Sequence, residues 1–427
     1  MGVLGSIAPI VLWVAIILVT GKLGAEIALR VGQPPVLGEL VVGIILGNLA
    51  LLGFHALDAV KTDALINALA QIGVLLVVFA IGLRSRIAQM LRVGTSALLA
   101  AVLGVAVPFA LGWGVSTWLL PDASPYVHLY LGAAMTATGV AVIGRALHDI
   151  GLTHMPEAHV IMGAAVIDDI LGFIILATLS GLISTVGTHV FSILSVGIVT
   201  AKALGFLAGA LIIGRYFFAG LLPLASKLKA TGTLLAAGIA FCLTMSFLAS
   251  LAGLEPVIGA FAAGLSLEEP RDRRFLQKGT LPLEESIEPI ASTLAPIFFV
   301  LMGMRTDLKA LADPGILGFT ALLTAVAVAG KLASSLGVCG KGIDRLTVGI
   351  GMVPRGAVGL IFASVGLTLS VEGRPIVTAS TFSALVIMVI LTTLIALPMM
   401  KRRMDRLQRR REALHSRRSD GEPVDRA

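Results

Sequence analysis

Charge is what this 427-residue chain has least of: only 13% of its residues are Asp, Glu, Lys or Arg, against roughly a quarter in a globular protein. A soluble fold of this length could not cover its surface with so few, which also excludes disordered and fibrous classes. Cysteine is nearly absent. Cys242 and Cys339 both lie inside apolar runs, so neither a disulfide framework nor a multi-cysteine metal site is available, and packing is their expected role. Long polar stretches are missing too. The longest are residues 268–288 and the final 27, which leaves no room for a soluble domain of useful size.

What is present in excess is apolar sequence, 57% AVILMFWYC, together with 48 glycines, which suit close helix contacts in lipid. Both point to an all-α polytopic membrane protein. Thirteen apolar stretches can cross a hydrocarbon core of about 30 Å: near residues 7–24, 35–52, 67–83, 93–119, 127–147, 158–183, 191–217, 233–251, 254–268, 289–304, 315–340, 346–370 and 376–399. The first has no charged leader before it and no small-residue cleavage site after it, so it is read as a retained span.

The positive-inside rule then orients the chain. Residues 401–427 hold ten Lys or Arg, which makes the C-terminus cytoplasmic and, with thirteen crossings, the N-terminus external. The other loops agree. Arg30, Arg84, Arg86, Arg92, Arg145, Arg215, Lys227, Lys229, Arg271, Arg273, Arg274, Lys278, Lys341 and Arg345 fall on the cytoplasmic side, against Lys61, Arg305, Lys309 and Arg374 outside. The formal charge of +7 is therefore membrane topology, not a signal for a nucleic-acid partner. The basic tail is expected to be a solvated helix or a disordered segment near anionic headgroups.

Four cations remain inside spans. Lys22, four residues before Glu26, and Lys202 can snorkel to an interface. Lys331 and Arg355 cannot, and neither can the pair Asp168 and Asp169, because apolar sequence extends for two to three turns on each side. At 1.5 Å per helical residue, Asp168, Lys331, Thr138 and Arg355 each lie about 15 Å from the nearest cytoplasmic edge. Four separate spans thus bring polar chemistry to one level. An architectural ion pair would need only one of the two aspartates. Consecutive helical residues point about 100° apart, so one aspartate can face Lys331 and the other a water-filled cavity.

The fifth span contains Gly132, Met135 and Gly139, and the twelfth contains Gly349, Met352 and Gly356, all at an offset of 217 residues. An odd separation of seven spans turns the second copy upside down, as an inverted-topology repeat requires. Pro354 cannot donate a backbone hydrogen bond, and Thr136 and Thr138 can bond alternative carbonyls, so both spans are expected to open mid-membrane and cross. Arg355 has two candidate partners, the C-terminal dipole of a half-helix or Glu39.

These residues resemble the monovalent cation:proton antiporter-2 family, closest in pattern to its NapA-type sodium/proton antiporters. The likeness spans residues 1–400 and rests on Pro35-Val-Leu-Gly-Glu39-Leu-Val-Val-Gly, Thr136-Ala-Thr138, Ala165-Val-Ile-Asp168-Asp169-Ile, Ile258-Gly-Ala-Phe-Ala-Ala-Gly264, Ile297-Phe-Phe-Val-Leu-Met-Gly303, Lys331 and Pro354-Arg355-Gly356. The resemblance implies an inverted-repeat fold with a mobile core, about residues 93–183 and 315–399, and a second bundle that forms a homodimer. It implies that Asp169 is the ion ligand and proton carrier and that Asp168 is paired with Lys331. Two positions depart from the pattern: Ala357 stands where Glu usually follows Pro-Arg-Gly, and Arg84 where an acidic residue is common.

The expected activity is exchange of sodium, and lithium with it, for protons by alternating access across the plasma (inner) membrane, electrogenic and without a cofactor. Asp168, Asp169, Thr136, Thr138, broken-helix carbonyls and water would supply the oxygens that a hard cation prefers, with Arg355 and Glu39 in support. Potassium/proton exchange of the Kef-like type is the alternative within transport. An intramembrane aspartyl protease, the alternative outside it, would need Tyr-Asp and Gly-x-Gly-Asp on separate helices, and neither motif occurs.

Overall fold

In lipid every backbone N–H and C=O must find its partner within the chain, so long apolar runs close into helices. The computed structural model describes residues 4–85, 94–149, 151–184, 193–227, 232–267, 282–340, 342–371 and 373–419. Arg86, Arg92, Lys229, Arg271, Arg273, Arg274, Lys278 and Lys341, counted above as cytoplasmic cations, lie outside the described residues, as does the end of the tail from residue 420.

The main helices are α1 (Leu4–Arg30), α2 (Pro35–Gly47), α3 (Ala64–Arg84), α4 (Thr95–Leu119), α5 (Pro125–Ala134), α6 (Val140–Asp149), α7 (Pro156–Ser184) and α8 (Ile193–Lys227). They continue as α9 (Thr233–Leu251), α10 (Pro256–Ser266), α11 (Leu283–Met304), α12 (Pro314–Leu332), α13 (Arg345–Gly351), α14 (Ala357–Thr368) and α15 (Ala379–Ser419). Proline opens α2, α5, α10 and α12, where its missing N–H leaves no intrahelical bond unmade. A two-residue antiparallel ribbon, Ser370–Val371 with Arg374–Pro375, joins α14 to α15.

Ten of the described helical stretches are long and apolar enough to cross a membrane, against the thirteen expected. The difference has a structural cause. The fifth and twelfth stretches are each split, into α5 and α6 and into α13 and α14, and α10 has only eleven helical residues.

Packing separates the helices into two neighbourhoods. In one, α3 lies against α10 and α11, α2 against α1 and α11, and α10 against α8 and α9. In the other, α4 packs on α5, α7, α12 and the 3₁₀ turn Ala333–Gly337, and α15 packs on α12, α13 and α14. The contact between α7 and α8 links the two. Glycine permits the close approaches: a methyl group on Gly38 of α2 would overlap the Gly24 carbonyl oxygen of α1, and one on Gly43 of α2 the Val300 carbonyl oxygen of α11.

Two expectations change here. Cys242 is buried, but Cys339 is exposed beyond the 3₁₀ turn and is not a packing residue. The basic stretch does not separate from the last span: α15 runs unbroken for 41 residues, about 60 Å, through residue 399 to Ser419.

Candidate functional site

The site is built on α7, whose apolar turns hold Asp168 and Asp169 at 1% and 2% exposure. Lys331, on the last turn of α12, is fully buried and places its Nζ 2.8 Å from Asp168 Oδ1. This is the pair expected of the two residues. It uses one carboxylate oxygen only. Among the described residues, Asp168 Oδ2 and Asp169 Oδ1 have no hydrogen-bond partner, although both are buried.

Two hydroxyls are equally unsatisfied. Thr138 is fully buried with its Oγ1 close enough to act on the Asp168 carboxylate, without completing a hydrogen bond to any of the described residues. Ser334 lies on the 3₁₀ turn that follows the last turn of α12, and its Oγ is likewise buried and unpartnered among the described residues. A methyl group on Gly104 of α4 would meet both Ser334 Oγ, at 2.5 Å, and Asp168 Oδ1, at 3.8 Å. Buried polar atoms are almost always hydrogen-bonded, so these orphaned oxygens leave bonding capacity that an ion, a proton or water can take up. Thr136 is different: its hydroxyl donates to the Ala133 carbonyl at 2.8 Å and serves the end of α5.

The chain is non-helical at 135–139 and again at 352–356, and the two interruptions touch. The Gly139 amide donates to the Pro354 carbonyl at 3.0 Å. A methyl group on Gly139 would lie 2.8 Å from the Arg355 carbonyl carbon, so only glycine allows this approach. Arg355, 1% exposed, turns its guanidinium onto the C-terminal end of α5. Its Nη1 donates to Ala137 O at 2.9 Å and Ala134 O at 3.3 Å, and its Nη2 to Met135 O at 2.6 Å. A cation at this position complements the dipole end of a half-helix.

Arg355 therefore pairs with carbonyls and not with Glu39. Glu39 is buried on α2, in the other neighbourhood, where Lys22 of α1 is the cation acting on it. The separation follows from packing, since α2 lies against α1 and α11. The carbonyls of the first interruption, expected as cation ligands, are in part occupied by Arg355. Lys22 itself donates to the Ser292 carbonyl, and Glu26 pairs with Arg30 instead.

The helix ends carry a second set of charges that sequence reasoning missed. Glu157, in the first turn of α7, is fully buried and accepts both Arg411 nitrogens, at 3.0 and 2.6 Å, and the Asp344 amide at 2.9 Å. Asp344 caps α13 through the Thr347 amide and is held by Arg403 at 3.1 and 3.0 Å. Burial opposes ionisation of Asp344, but the Arg403 hydrogen bonds and the Thr347 amide outweigh it and hold the carboxyl below the ordinary carboxylate value of 3.8. Arg403 and Arg411 both belong to the extension of α15, so the described part of the tail is tied to protein instead of lying free near headgroups. Arg84, the second departure from the family pattern, pairs with Glu284 at 3.2 Å and with Glu288.

Thr393 of α15 and Ser334 were also missed. The only local signal was a hydroxyl in an otherwise apolar span, which by itself bonds its own helix more often than not.

Comparison with known proteins places the chain in a family. The family model described as sodium/hydrogen exchanger, transmembrane, matches residues 14–402. The high-affinity Na+/H+ antiporter NhaS3 of Synechocystis is 34% identical, over 92% of this chain and 90% of its own. The Na+/H+-K+ antiporter GerN of Bacillus cereus is 31% identical, over 91% of this chain and 94% of its own. The structure of the sodium proton antiporter MjNhaP1 from Methanocaldococcus jannaschii shares the fold, with a TM-score of 0.71 at 17% identity over 93% of this chain and 97% of that one. The chain is a multi-pass membrane protein with the fold of a transporter. It belongs to the sodium/hydrogen exchanger family of cation:proton antiporters.

Proposed function

We propose that the chain exchanges sodium, and lithium with it, for protons by alternating access across the plasma membrane, with net movement of charge. The observation that carries this reading is the set of buried, unpartnered oxygens on Asp168, Asp169 and Thr138 beside the Lys331–Asp168 pair. Sodium prefers oxygen ligands, and a carboxylate that holds a proton cannot also hold the ion, so the two compete for Asp169. Asp168, Asp169 and Lys331 lie close enough to titrate as a group. Thr138 is the hydroxyl ligand; Thr136 supports it by finishing α5, and Arg355 does so from the second interruption.

The crossing count of this reading is thirteen, with α5–α6 and α13–α14 each taken as one interrupted crossing and α10 as a short one. The two interrupted crossings meet at Gly139 and Pro354 and form the equivalent parts of an inverted repeat, supported by Gly132, Met135 and Gly139 recurring as Gly349, Met352 and Gly356. Residues 93–183 and 315–399 form the mobile core, and the remaining spans form the scaffold and the homodimer contact. An apolar cleft lined by Ile170 and Phe173 of α7, Ala203 and Leu207 of α8, and Ile258 and Phe261 of α10 lies where core and scaffold meet, with the Thr178 and Thr200 hydroxyls 3.4 Å apart as a polar contact between α7 and α8. The N-terminus is external and the C-terminus cytoplasmic.

Names of relatives support sodium, and that of GerN includes potassium, so potassium/proton exchange is the second reading. Reconstitution into liposomes with an imposed pH gradient tests both, with sodium, lithium and potassium compared at clamped and unclamped voltage. Proton movement driven by sodium and lithium, and sensitive to voltage, is the expected result. Movement driven by potassium alone would replace it with the second reading, and no cation-driven movement would overturn both.

A further inference from the structure

The break at 352–356 leaves backbone groups of Arg355 without the helical partners that a continuous helix would give them, at a depth where no unpaired amide is tolerated. One side chain from another helix takes up both. Thr393 of α15, fully buried, accepts the Arg355 amide on its Oγ1 at 3.0 Å and lies 2.8 Å from the Arg355 carbonyl oxygen. Its single hydroxyl proton is shared between that carbonyl and Val389 O, also at 2.8 Å. The neighbouring Thr392 behaves as a threonine in a helix ordinarily does: its hydroxyl bonds only the Met388 and Val389 carbonyls of its own helix.

The clasp sits next to a charge. Arg355 spends its Nη1 and Nη2 on the Ala134, Met135 and Ala137 carbonyls of the other interruption, while Ala357 supplies no acid on its own strand of the crossing. Its place is thus set from two sides, by these carbonyls at the head group and by Thr393 at the backbone. The charged groups that act on it are Asp168 of α7 and Lys331 of α12.

We infer that Thr393 is a positioning residue for the exchange: its hydroxyl clasps the backbone of Arg355 and so fixes the guanidinium between the end of α5 and Asp168. This rests on the transport reading above for its effect on activity, but the clasp itself does not. Without the hydroxyl, Arg355 is held only at its head group. The guanidinium and the α5 carbonyls it holds then keep a less fixed arrangement, and exchange turns over more slowly at saturating sodium.

The test uses the full chain in liposomes and compares Thr393→Val, which keeps the shape and loses the hydroxyl, with Thr393→Ser, which keeps the hydroxyl. Thr392→Val is the control for loss of a hydroxyl on the same helix. Thr393→Val is expected to lower the maximum rate of exchange about threefold or more with little change in the half-saturating sodium concentration, with Thr393→Ser and Thr392→Val near wild type. Hydrogen exchange at the Arg355 amide, which needs no transport, is expected to speed up about tenfold or more in Thr393→Val alone. If Thr393→Val does not fold, Thr393→Cys, a weaker hydrogen-bonding group of similar size, takes its place and is expected to deviate in the same direction. A hydroxyl-free or thiol variant with wild-type amide protection overturns the clasp, and one with faster amide exchange but an unchanged maximum rate overturns the positioning role. Failure of the wild type to move any cation overturns the transport reading instead, and amide protection still decides the clasp.

Discussion

Two acidic side chains on the same helix, Glu157 and Asp168 of α7, are both fully buried and both paired with a cation, yet they are finished differently. Glu157 stands in the first turn, where the helix dipole favours a carboxylate, and its two oxygens are taken up by Arg411 and the Asp344 amide. Asp168 stands mid-helix without that help, and Lys331 satisfies only one of its oxygens. A completed pair fastens, whereas an incomplete one leaves valence for a transported ion. The same helix is thereby tied at one end and reactive in its middle.

The largest effect should come from the incomplete region. Asp169→Asn is expected to abolish sodium-driven collapse of a pH gradient in everted vesicles while the protein still inserts; gradient collapse that survives the change would remove Asp169 from the site. Next is the pair itself. Lys331→Gln leaves a buried carboxylate uncompensated, a loss of about 3–5 kcal/mol in stability that the double change with Asp168→Asn should largely recover. A sodium-dependent current that persists in Lys331→Gln would show that the lysine is not obligatory.

Glu157→Gln should separate the two regions. It keeps hydrogen-bonding capacity and loses the charge, so a stability loss of about 1–2 kcal/mol with exchange retained is expected in melting and vesicle assays. Abolished exchange would collapse the distinction drawn between the two acids. The smallest effect belongs to Arg403, whose pair with Asp344 is partly exposed and worth about 1 kcal/mol or less. Because the folded state holds the Asp344 carboxyl low, this contribution is present above the ordinary carboxylate value and fades as the pH falls through the lower folded one. The melting difference between wild type and Arg403→Ala should therefore shrink on acidification from pH 7 towards 3; a difference that grew would reverse the sign assigned to this pair.

Much of the candidate site was legible in sequence because lipid makes charge conspicuous. Asp168, Asp169, Lys331 and Arg355 stood out against uninterrupted apolar residues, and Gly139, Pro354 and Gly356 marked where helices could not continue. Counting residues from the span edges gave Asp168, Lys331 and Arg355, with Thr138, one expected depth. Glu39 was drawn in wrongly, since depth carries no information about which neighbour a helix has, and α2 packs away from Arg355. Thr393 and Ser334 were passed over for the opposite reason: a threonine or serine in a span ordinarily bonds its own helix, and only the fold reveals one that does not.

Composition, periodicity and the positions of a few charges thus determined that the chain is a bundle of membrane helices with a polar centre, because burying charge in lipid is too costly to occur without purpose. Tertiary structure alone decided the partners. It gave Lys331 to Asp168, the α5 carbonyls to Arg355, the Arg355 backbone to Thr393, and Arg403 and Arg411 of the tail to Asp344 and Glu157. Hydrogen bonds act over about 3 Å between residues up to 270 apart in the chain, and no local pattern encodes which of many helices will bring them that close.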